Sequence, residues 1–212
     1  MRPRDFTHLG LFVKEAFLDD ALLRQVRQAI TDDPGDPAEV LDVGQEGLTL
    51  SAEVRRTWDV TLSDALEEAV LERLEDLRGE LERWCQRPLE PCSGLAALRY
   101  PTGAFYRTHR DASGHADALG LHRRAVSVVV FVNNGEGHAT AEFSGGALRL
   151  HELVDGNDDG LDVWPEAGTL VAFPSSLLHE VTTVEQGERY SLVACLMAAE
   201  QPHTVAAEPT EV

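Results

Sequence analysis

Apolar residues recur at every third or fourth position in two stretches of the first half of the chain, and this spacing predicts two amphipathic helices. The first helix is expected to begin at a cap formed by Asp19 or Asp20 and to run to about Ile30. Its apolar face consists of Leu22, Leu23, Val26 and Ile30. The segment 31–47 that follows is rich in proline, glycine and aspartate and is predicted to be a loop.

A longer helix is predicted over residues 61–87. Thr61, Ser63 and Asp64 resemble a capping box at its start, and Pro88 is expected to stop it. Its apolar stripe consists of Leu62, Leu66, Val70, Leu74, Leu77, Leu81 and Trp84. Because such a stripe has to be covered, we expect it to face the outer side of a sheet, with a helical partner in another chain as the alternative.

The pattern changes from residue 95 onwards, where short runs rich in β-branched residues are separated by glycine, asparagine, aspartate and proline. These runs lie at 95–100, 126–132, 147–150, 169–173, 181–184 and 190–197. Several short strands at such spacing predict a β-sandwich or a jelly roll. The chain therefore reads as mainly helical first and mainly β afterwards.

Composition and charge narrow the class of protein. The 212 residues carry 37 acidic and 18 basic side chains, with a formal net charge of −19, and are enough for one domain with a full core. This charge repels phosphate groups, so we expect neither nucleic acid nor an anionic membrane as a partner. Three cysteines without metal-binding spacing, Cys85, Cys92 and Cys195, predict reduced thiols and a cytoplasmic protein. No signal peptide and no membrane span is predicted.

His109, Asp111 and His179 form the most informative arrangement of chemical groups. An imidazole and a carboxylate two residues apart on an extended segment point to the same side, and a second imidazole from a distant strand would complete the set. Two imidazoles and one carboxylate are the facial triad that binds non-haem Fe(II) and leaves coordination positions open. Arg189, ten residues after His179, is placed to hold the far carboxylate of a keto-acid bound to that metal.

Five short motifs occur in a fixed order around these residues. They are Tyr100, Gly103 and Phe105 before the His109–Asp111 pair; a strand ending in Asn133; Phe143, Gly145, Gly146 and Leu148; Pro165, Gly168, Leu170 and Phe173 before His179; and Gly187, Arg189 and Ser191. Each motif is weak by itself. Together they resemble the Fe(II)/2-oxoglutarate-dependent dioxygenases of the prolyl 4-hydroxylase-like group, over about half of the chain.

The resemblance implies a fold and a domain organisation. The fold class is α+β, a double-stranded β-helix (a cupin-like jelly roll) with N-terminal helices packed on its major sheet. We expect a single domain over 1–212, with a mainly helical supporting part over 1–94, the catalytic core over 95–198 and a flexible tail over 199–212. Gly145 and Gly146 are expected to form a tight turn into a strand and not a binding loop.

The resemblance also implies the roles of the site residues. His109, Asp111 and His179 would bind Fe(II), Arg189 would pair with the C5 carboxylate of 2-oxoglutarate, and Ser191 and Tyr100 would contact the same cosubstrate. Oxygen is the other cosubstrate, and ascorbate is expected as a reductant. Arginine in place of the lysine of animal collagen-type members points to the arginine-using branch. A carboxylate at position 111 points to hydroxylation, because halogenating relatives carry a small residue there.

The substrate is expected to be a prolyl or other residue of a protein, or a free amino acid or small metabolite, and the protein to be a monomer or homodimer. Two other functions stay open: a non-catalytic cupin-like metal-binding or sensing module, and a scaffold built on the helix at 61–87. Asp155 to Glu166 matches the spacing of an EF-hand calcium loop, but Pro165 and Asp162 do not suit one, so a solvated loop is favoured. The remaining histidines at 115, 122, 138 and 151 match no zinc spacing and are expected to be solvated or locally bonded.

Overall fold

Two antiparallel sheets face each other, and two helices cover the outer side of the larger sheet. The computed structural model describes residues 9–38, 40–42, 47–49, 51–114, 120–153 and 160–200. The helices are α1 (Asp20–Asp32) and α2 (Asp64–Cys85). The strands of the N-terminal part are β1 (Phe12–Lys14), β2 (Asp36–Pro37), β3 (Val40–Asp42), β4 (Gly47–Thr49), β5 (Arg55–Arg56) and β6 (Trp58–Val60).

The remaining strands form most of the two sheets. They are β7 (Ala96–Pro101), β8 (Phe105–His109), β9 (Arg124–Phe131), β10 (Phe143–Gly145), β11 (Leu148–Leu150), β12 (Leu161–Val163), β13 (Leu170–Pro174), β14 (His179–Val181) and β15 (Val184–Met197). The major sheet has the order β1-β13-β9-β15-β7-β6-β2, with β10 also paired to β15, and the minor sheet has the order β12-β11-β14-β8-β5. This α+β jelly roll, with N-terminal helices on the major sheet, confirms the predicted fold class.

The helices bury their apolar faces on the major sheet. Val26 and Ile30 of α1 and Leu74 and Leu81 of α2 belong to one buried cluster that also contains sheet residues such as Val128. Alternate residues on the opposite face of the same strands, including Val129, form a second cluster with the minor sheet. The stripe of α2 therefore faces the outer side of a sheet, as predicted.

We predict that Leu74→Ala lowers the free energy of unfolding by about 2–5 kcal/mol, because it leaves a cavity between α2 and the sheet. Leu74 is 1% exposed, whereas Val54 is 41% exposed. The control Val54→Ala should change stability by less than about 0.5 kcal/mol. Denaturant unfolding measures both variants, and equal losses would contradict the packing described for α2.

The helix boundaries differ from the prediction at several ends. Helix α1 begins after the N-cap Asp19, whose carboxylate accepts hydrogen bonds from two backbone N–H groups at 3.0 Å, as predicted, but it continues to Asp32. The capping box predicted for α2 is wrong, because the N-cap Ser63 makes no side-chain capping bond and the helix begins at Asp64. The same helix ends at Cys85, before Pro88, where Gln86 adopts a left-handed conformation.

The N-terminal part contains short strands in addition to the two helices, and the sequence analysis did not predict these strands. Strands β2, β3 and the start of β4 fall within or beside the segment 31–47 that was predicted to be a loop. These strands are only two or three residues long, and β2 exists because Asp36 pairs with Asp59 of β6. Such short pairings leave no hydrophobic period in the sequence.

The strand predicted at 181–184 is also wrong, because the chain turns between β14 and β15 at residues 182 and 183. Strand β15 then begins at Val184, six residues earlier than predicted for the last strand, which was placed at 190–197. Its polar first part pairs with β10, with Gly187 opposite Phe143. Tertiary pairing, and not an apolar pattern, makes this part a strand.

Neither α1 nor α2 has an apolar stretch of the length that crossing a bilayer requires. The domain division at residues 94 and 198 stays a prediction, and most of the predicted tail, residues 201–212, lies outside the described residues.

Candidate active site

Two neighbouring strands of the minor sheet bring the two histidines together. His109 is the last residue of β8 and His179 the first of β14, and the two are direct partners in the antiparallel register. Asp111 lies two residues beyond the end of β8, where its backbone N–H donates to the Ser175 carbonyl at 3.0 Å. The two histidines are 70 residues apart in the sequence and become one cross-strand pair.

The donor atoms of the three side chains converge on one point. One ligand atom from each lies within 4.8 Å of the others, and within the described residues this is the one such group of three or more. His109 Nε2 is 3.5 Å from Asp111 Oδ1, and His179 Nε2 is 3.6 Å from Asp111 Oδ2. Two donors at right angles on a metal with bonds near 2.1 Å would be about 3 Å apart, so small rotations suffice for one ion.

Both imidazoles are held in the tautomer that a metal requires. His109 Nδ1 donates to the Arg107 carbonyl at 2.7 Å, and His179 Nδ1 donates to the Leu177 carbonyl at 2.9 Å. A carbonyl oxygen only accepts, so the ring proton is on Nδ1 and the Nε2 lone pair is free for a metal. Burial also lowers the pKa of His179, which favours its neutral form.

Asp111 is held as a carboxylate. Burial opposes its ionisation, but the contact with His109, the positive charge that either imidazole carries when protonated and the Ser127 hydroxyl outweigh burial and hold the pKa of Asp111 well below its usual range. Ser127 Oγ donates to Asp111 Oδ2 at 2.5 Å. The site therefore presents two neutral nitrogens and one negative oxygen, a donor set that fits Fe(II).

Arg189 lies on β15, on the face of the major sheet that is turned towards the triad. It is 1% exposed, and its Nη1 donates to Ser191 Oγ at 3.0 Å. Its Nε has no hydrogen-bond partner, and among the described residues no carboxylate forms an ion pair with this guanidinium. A buried cation without a counter-charge is costly, so this geometry fits an anionic ligand.

Tyr100 completes the surroundings of this guanidinium. Arg189 Cζ lies 4.9 Å from the centre of the Tyr100 ring and 5.2 Å from that of Phe131, both of which are almost fully buried. Tyr100 is also the direct cross-strand partner of Arg189 on β7. The structure thus brings Arg189, Ser191 and Tyr100 together, and their contact with a cosubstrate stays a prediction.

One cavity of about 500 Å³ between the two sheets joins the triad to Arg189. Its lining includes Tyr100, Tyr106, His109, Asp111, Ser127, Leu148, His179, Val181, Arg189, Val193 and Cys195. Ser127 and Phe131, which mark the metal side and the arginine side, are four residues apart on β9, or about 13 Å. The triad and Arg189 therefore line the same cavity at different positions along the major sheet.

Several cavity residues were not singled out from the sequence. The Tyr106 ring stacks on His109 at 3.7 Å, and burial raises the pKa of Tyr106 to about 12. Arg124 donates to the Asp111 carbonyl at 3.3 Å, and Cys195, whose pKa burial raises to about 12, lies beside Ser127. Ser127 was detectable in principle, as a polar residue in an otherwise apolar strand.

The Gly145–Gly146 pair forms the turn predicted for it. Both residues have positive φ, at +65° and +59°. A Cβ on Gly145 would lie 2.3 Å from the Thr183 carbonyl oxygen, and one on Gly146 would lie 3.3 Å from Arg189 Cδ. The second glycine therefore leaves room for the arginine side chain.

Within the described residues, the other histidines and the calcium-like loop form no second group of three or more metal-binding side chains. His138 Nε2 bonds the Trp164 carbonyl at 2.7 Å, and His151 Nε2 lies 3.4 Å from Glu180. Residues 154–159 of the calcium-like loop, and His115, lie outside the described residues. Asp162, from the same loop, belongs to β12 and pairs with Arg149 at 2.6 Å.

Comparison with known proteins supports the geometry. Residues 95–196 match the family described as the 2OG-Fe(II) oxygenase superfamily. A PKHD-type hydroxylase of Synechococcus sp. is 31% identical over 130 residues, which cover 61% of this chain and 52% of the relative. Another from Synechococcus elongatus is 27% identical over 184 residues, covering 84% of this chain and 74% of the relative. The chain spans about half the length of the first of these relatives.

Solved structures share the whole fold. A prolyl-4-hydroxylase of Pseudomonas putida is 27% identical, with a TM-score of 0.67, over 93% of this chain and 97% of the other. A prolyl hydroxylase of Trichoplax adhaerens, solved with a peptide fragment of hypoxia inducible factor, has a TM-score of 0.64 at 16% identity, over 92% and 86%, and shows the fold alone. Over residues 95–196, the fold, the convergent triad and these similarities make the chain similar to the 2OG-Fe(II) oxygenase superfamily and to PKHD-type and prolyl 4-hydroxylase-like proteins.

Proposed function

We propose that this protein is an Fe(II)- and 2-oxoglutarate-dependent dioxygenase that hydroxylates an unactivated C–H bond. The observation that carries the proposal is the buried guanidinium of Arg189, which has no carboxylate partner among the described residues and opens into the same cavity as the triad. A metal triad and an anion-binding cation in one enclosed space suit a dicarboxylate that bridges them.

His109, Asp111 and His179 would hold the metal in this proposal. When bound, Fe(II) with 2-oxoglutarate and oxygen supplies the oxidising equivalent, and 2-oxoglutarate leaves as succinate and carbon dioxide. The chain supplies neutral imidazoles, whose Nδ1 protons are already engaged by carbonyl groups, and a carboxylate kept ionised. One negative charge leaves the dication partly uncompensated, so an anionic keto-acid is still attracted.

Arg189, Ser191 and Tyr100 would bind the far carboxylate of 2-oxoglutarate. The planar fork of Arg189 favours bidentate contact with a carboxylate. Its Nη1 donates to the Ser191 hydroxyl, and its buried Nε has no hydrogen-bond partner. This is the basis for assigning the protein to the arginine-using branch, because a lysine could not offer the same fork.

The similar solved structures support a proposal for the substrate class. We propose a residue of a protein or peptide, with prolyl as the first candidate, or a free amino acid or small metabolite. The Pseudomonas and Trichoplax proteins are prolyl hydroxylases, and the second was solved with a peptide. A monomer or homodimer in the cytoplasm is consistent with three free cysteines.

A non-catalytic metal-binding module is the second candidate, because the triad alone would serve it. Such a module needs no cation at the far end of its cavity, and a buried unpaired arginine would only destabilise it. The scaffold hypothesis loses its support, since the α2 stripe is covered by the major sheet of the same chain.

The test is 2-oxoglutarate turnover by the purified protein. With Fe(II), ascorbate and 2-oxoglutarate, we expect slow succinate release without added substrate, and inhibition by N-oxalylglycine. Release should rise when the right compound is added from a panel of proline-containing peptides, amino acids and metabolites. Absence of both succinate release and 2-oxoglutarate binding in the metal-loaded protein would refute the proposal and favour the non-catalytic module.

A further inference from the structure

We infer that Ser127 and Asn133, at the two ends of strand β9, are positioning residues for separate halves of the site. Ser127 would set the metal-binding carboxylate, and Asn133 would set the arginine that binds 2-oxoglutarate. This inference rests on the proposed function and deepens it, because neither residue touches a bound group itself. Six residues, or about 20 Å of extended chain, separate them, so their effects can be measured independently.

The Ser127 hydroxyl fixes the orientation of the Asp111 carboxylate. It is 2% exposed and donates to Oδ2, the oxygen that also faces His179 at 3.6 Å. An ionised carboxylate only accepts hydrogen bonds, so the single proton of the serine is committed to Asp111. The contact holds one carboxylate oxygen, which leaves the other, Oδ1, facing His109 at 3.5 Å.

Ser175 supports this arrangement from behind. Its hydroxyl, fully buried, lies 2.9 Å from Ser127 Oγ, and its carbonyl accepts the backbone N–H groups of Asp111 and Ala112. Because the Ser127 proton goes to Asp111, Ser175 must be the donor between the two hydroxyls. Backbone and side chain of the ligand residue are therefore anchored to one buried serine pair, and Ser127 is the member that touches the carboxylate.

Asn133 fixes the backbone on both sides of Arg189. It is 1% exposed; its Nδ2 donates to the Glu188 carbonyl at 2.8 Å, and its Oδ1 accepts from the Tyr190 N–H at 2.9 Å. The backbone hydrogen bonds between β9 and β15 end here, where the Val132 N–H donates to the Tyr190 carbonyl. The carboxamide continues that ladder for one more residue pair.

This bridge matters because Arg189 sits at that end of the ladder. On its other side β15 is paired with β7, where Arg189 lies opposite Tyr100. Without the carboxamide, the Glu188 carbonyl and the Tyr190 N–H would lose their bonds to β9, and only the bond from Val132 N–H to the Tyr190 carbonyl would hold this end of β15 to β9. The guanidinium is aimed through a long flexible side chain, so a small shift of its backbone moves the charge away from its ligand.

We predict that replacing Ser127 weakens metal binding and that replacing Asn133 weakens 2-oxoglutarate binding without changing metal binding. Ser127→Ala should weaken Co(II) or Mn(II) binding by about 10- to 100-fold, the range seen when a partner of a metal ligand is removed, and change the Co(II) absorption spectrum. Asn133→Ala should leave both unchanged and weaken 2-oxoglutarate binding to the saturated Mn(II) protein about tenfold. Metal titration and calorimetry on the whole chain measure the two constants.

Matched variants separate positioning from general loosening. Ser127→Thr and Ser127→Val differ only by a hydroxyl in place of a methyl group, and only the threonine should restore metal affinity. Asn134→Ala removes bonds of the same kind, to Thr140 at 2.7 Å and to the Ala167 N–H at 2.8 Å, away from β15, and should leave 2-oxoglutarate affinity unchanged. Asn133→Leu, which keeps the volume, replaces the alanine variant if that one does not fold.

Each outcome bears on one hypothesis. A wild-type Mn(II) protein that does not bind 2-oxoglutarate would contradict the proposed function itself. If the wild type binds it and Asn133→Ala or Asn133→Leu binds it equally well, the role of Asn133 is overturned. Equal metal affinity in Ser127→Thr and Ser127→Val overturns the role of Ser127. An equal loss of metal affinity and of 2-oxoglutarate affinity in Ser127→Ala also overturns it.

Discussion

Replacing His179 with alanine is expected to reduce 2-oxoglutarate-dependent succinate release to below about 1% of the wild-type rate. Loss of a mere partner of a metal ligand typically costs 10- to 100-fold, so loss of the ligand should cost at least that. His179 is 5% exposed and faces both His109 and Asp111, and within the described residues no fourth metal-binding side chain belongs to this group. Succinate formation and Fe(II) affinity of the same preparation are the measurements.

His138→Ala is the matched control for this prediction. The ring of His138 bonds the Trp164 carbonyl and belongs to no group of metal donors in the described part of the chain. It should therefore keep near wild-type turnover. A His179→Ala protein that folds, binds Fe(II) with wild-type affinity and releases succinate would show that the triad is not the metal site.

Arg189→Ala is expected to weaken 2-oxoglutarate binding by about 30-fold to several thousand-fold, which corresponds to the roughly 2–5 kcal/mol lost when one partner of a buried charge pair is removed. The metal ligands are untouched, so Fe(II) affinity should stay near that of the wild type. The measurement is the dependence of succinate release on 2-oxoglutarate concentration, together with direct binding to the Mn(II) protein.

Two further variants define the cause. Arg189→Lys keeps the charge but loses the bidentate fork, and should fall between wild type and alanine. Arg149→Ala removes an arginine that pairs with Asp162 on the minor sheet, and should leave the 2-oxoglutarate requirement unchanged. If Arg189→Ala keeps the wild-type requirement, the cosubstrate carboxylate binds elsewhere and the arginine-using assignment fails.

His109, Asp111 and His179 could be predicted as a group from their residue types and order, although Asp111 lies beyond the end of β8 and not on the extended segment that the sequence argument assumed. The spacing of His109 and Asp111 is local, and the presence of a second histidine and an arginine in a fixed order limits the alternatives. The apolar stripe of α2 was predicted from the spacing of its residues alone, because apolar residues three or four positions apart mark one face of a helix whatever that face packs against.

Other features depend on neighbours that are distant in sequence. The polar start of β15 carries no apolar signal and is a strand because β10 lies beside it. Strand β2 is two residues long and is fixed only by its register with β6. In the sequence, Ser127 is a single polar residue in an apolar run, and only the fold shows that its hydroxyl donates to Asp111 Oδ2 at 2.5 Å.

By itself, the sequence predicted the fold class, the two main helices, and His109, Asp111 and His179 as a group accompanied by Arg189. Periodicity predicted the helices and several short strands, and residue chemistry together with the resemblance to a family predicted the rest. Only the tertiary structure decided that His109 and His179 are cross-strand partners, that Arg189 is buried with no carboxylate partner among the described residues, and that Ser127 bonds Asp111 while Asn133 bonds the backbone beside Arg189. Hydrogen bonds and burial act through space between residues far apart in the chain, and no local pattern records them.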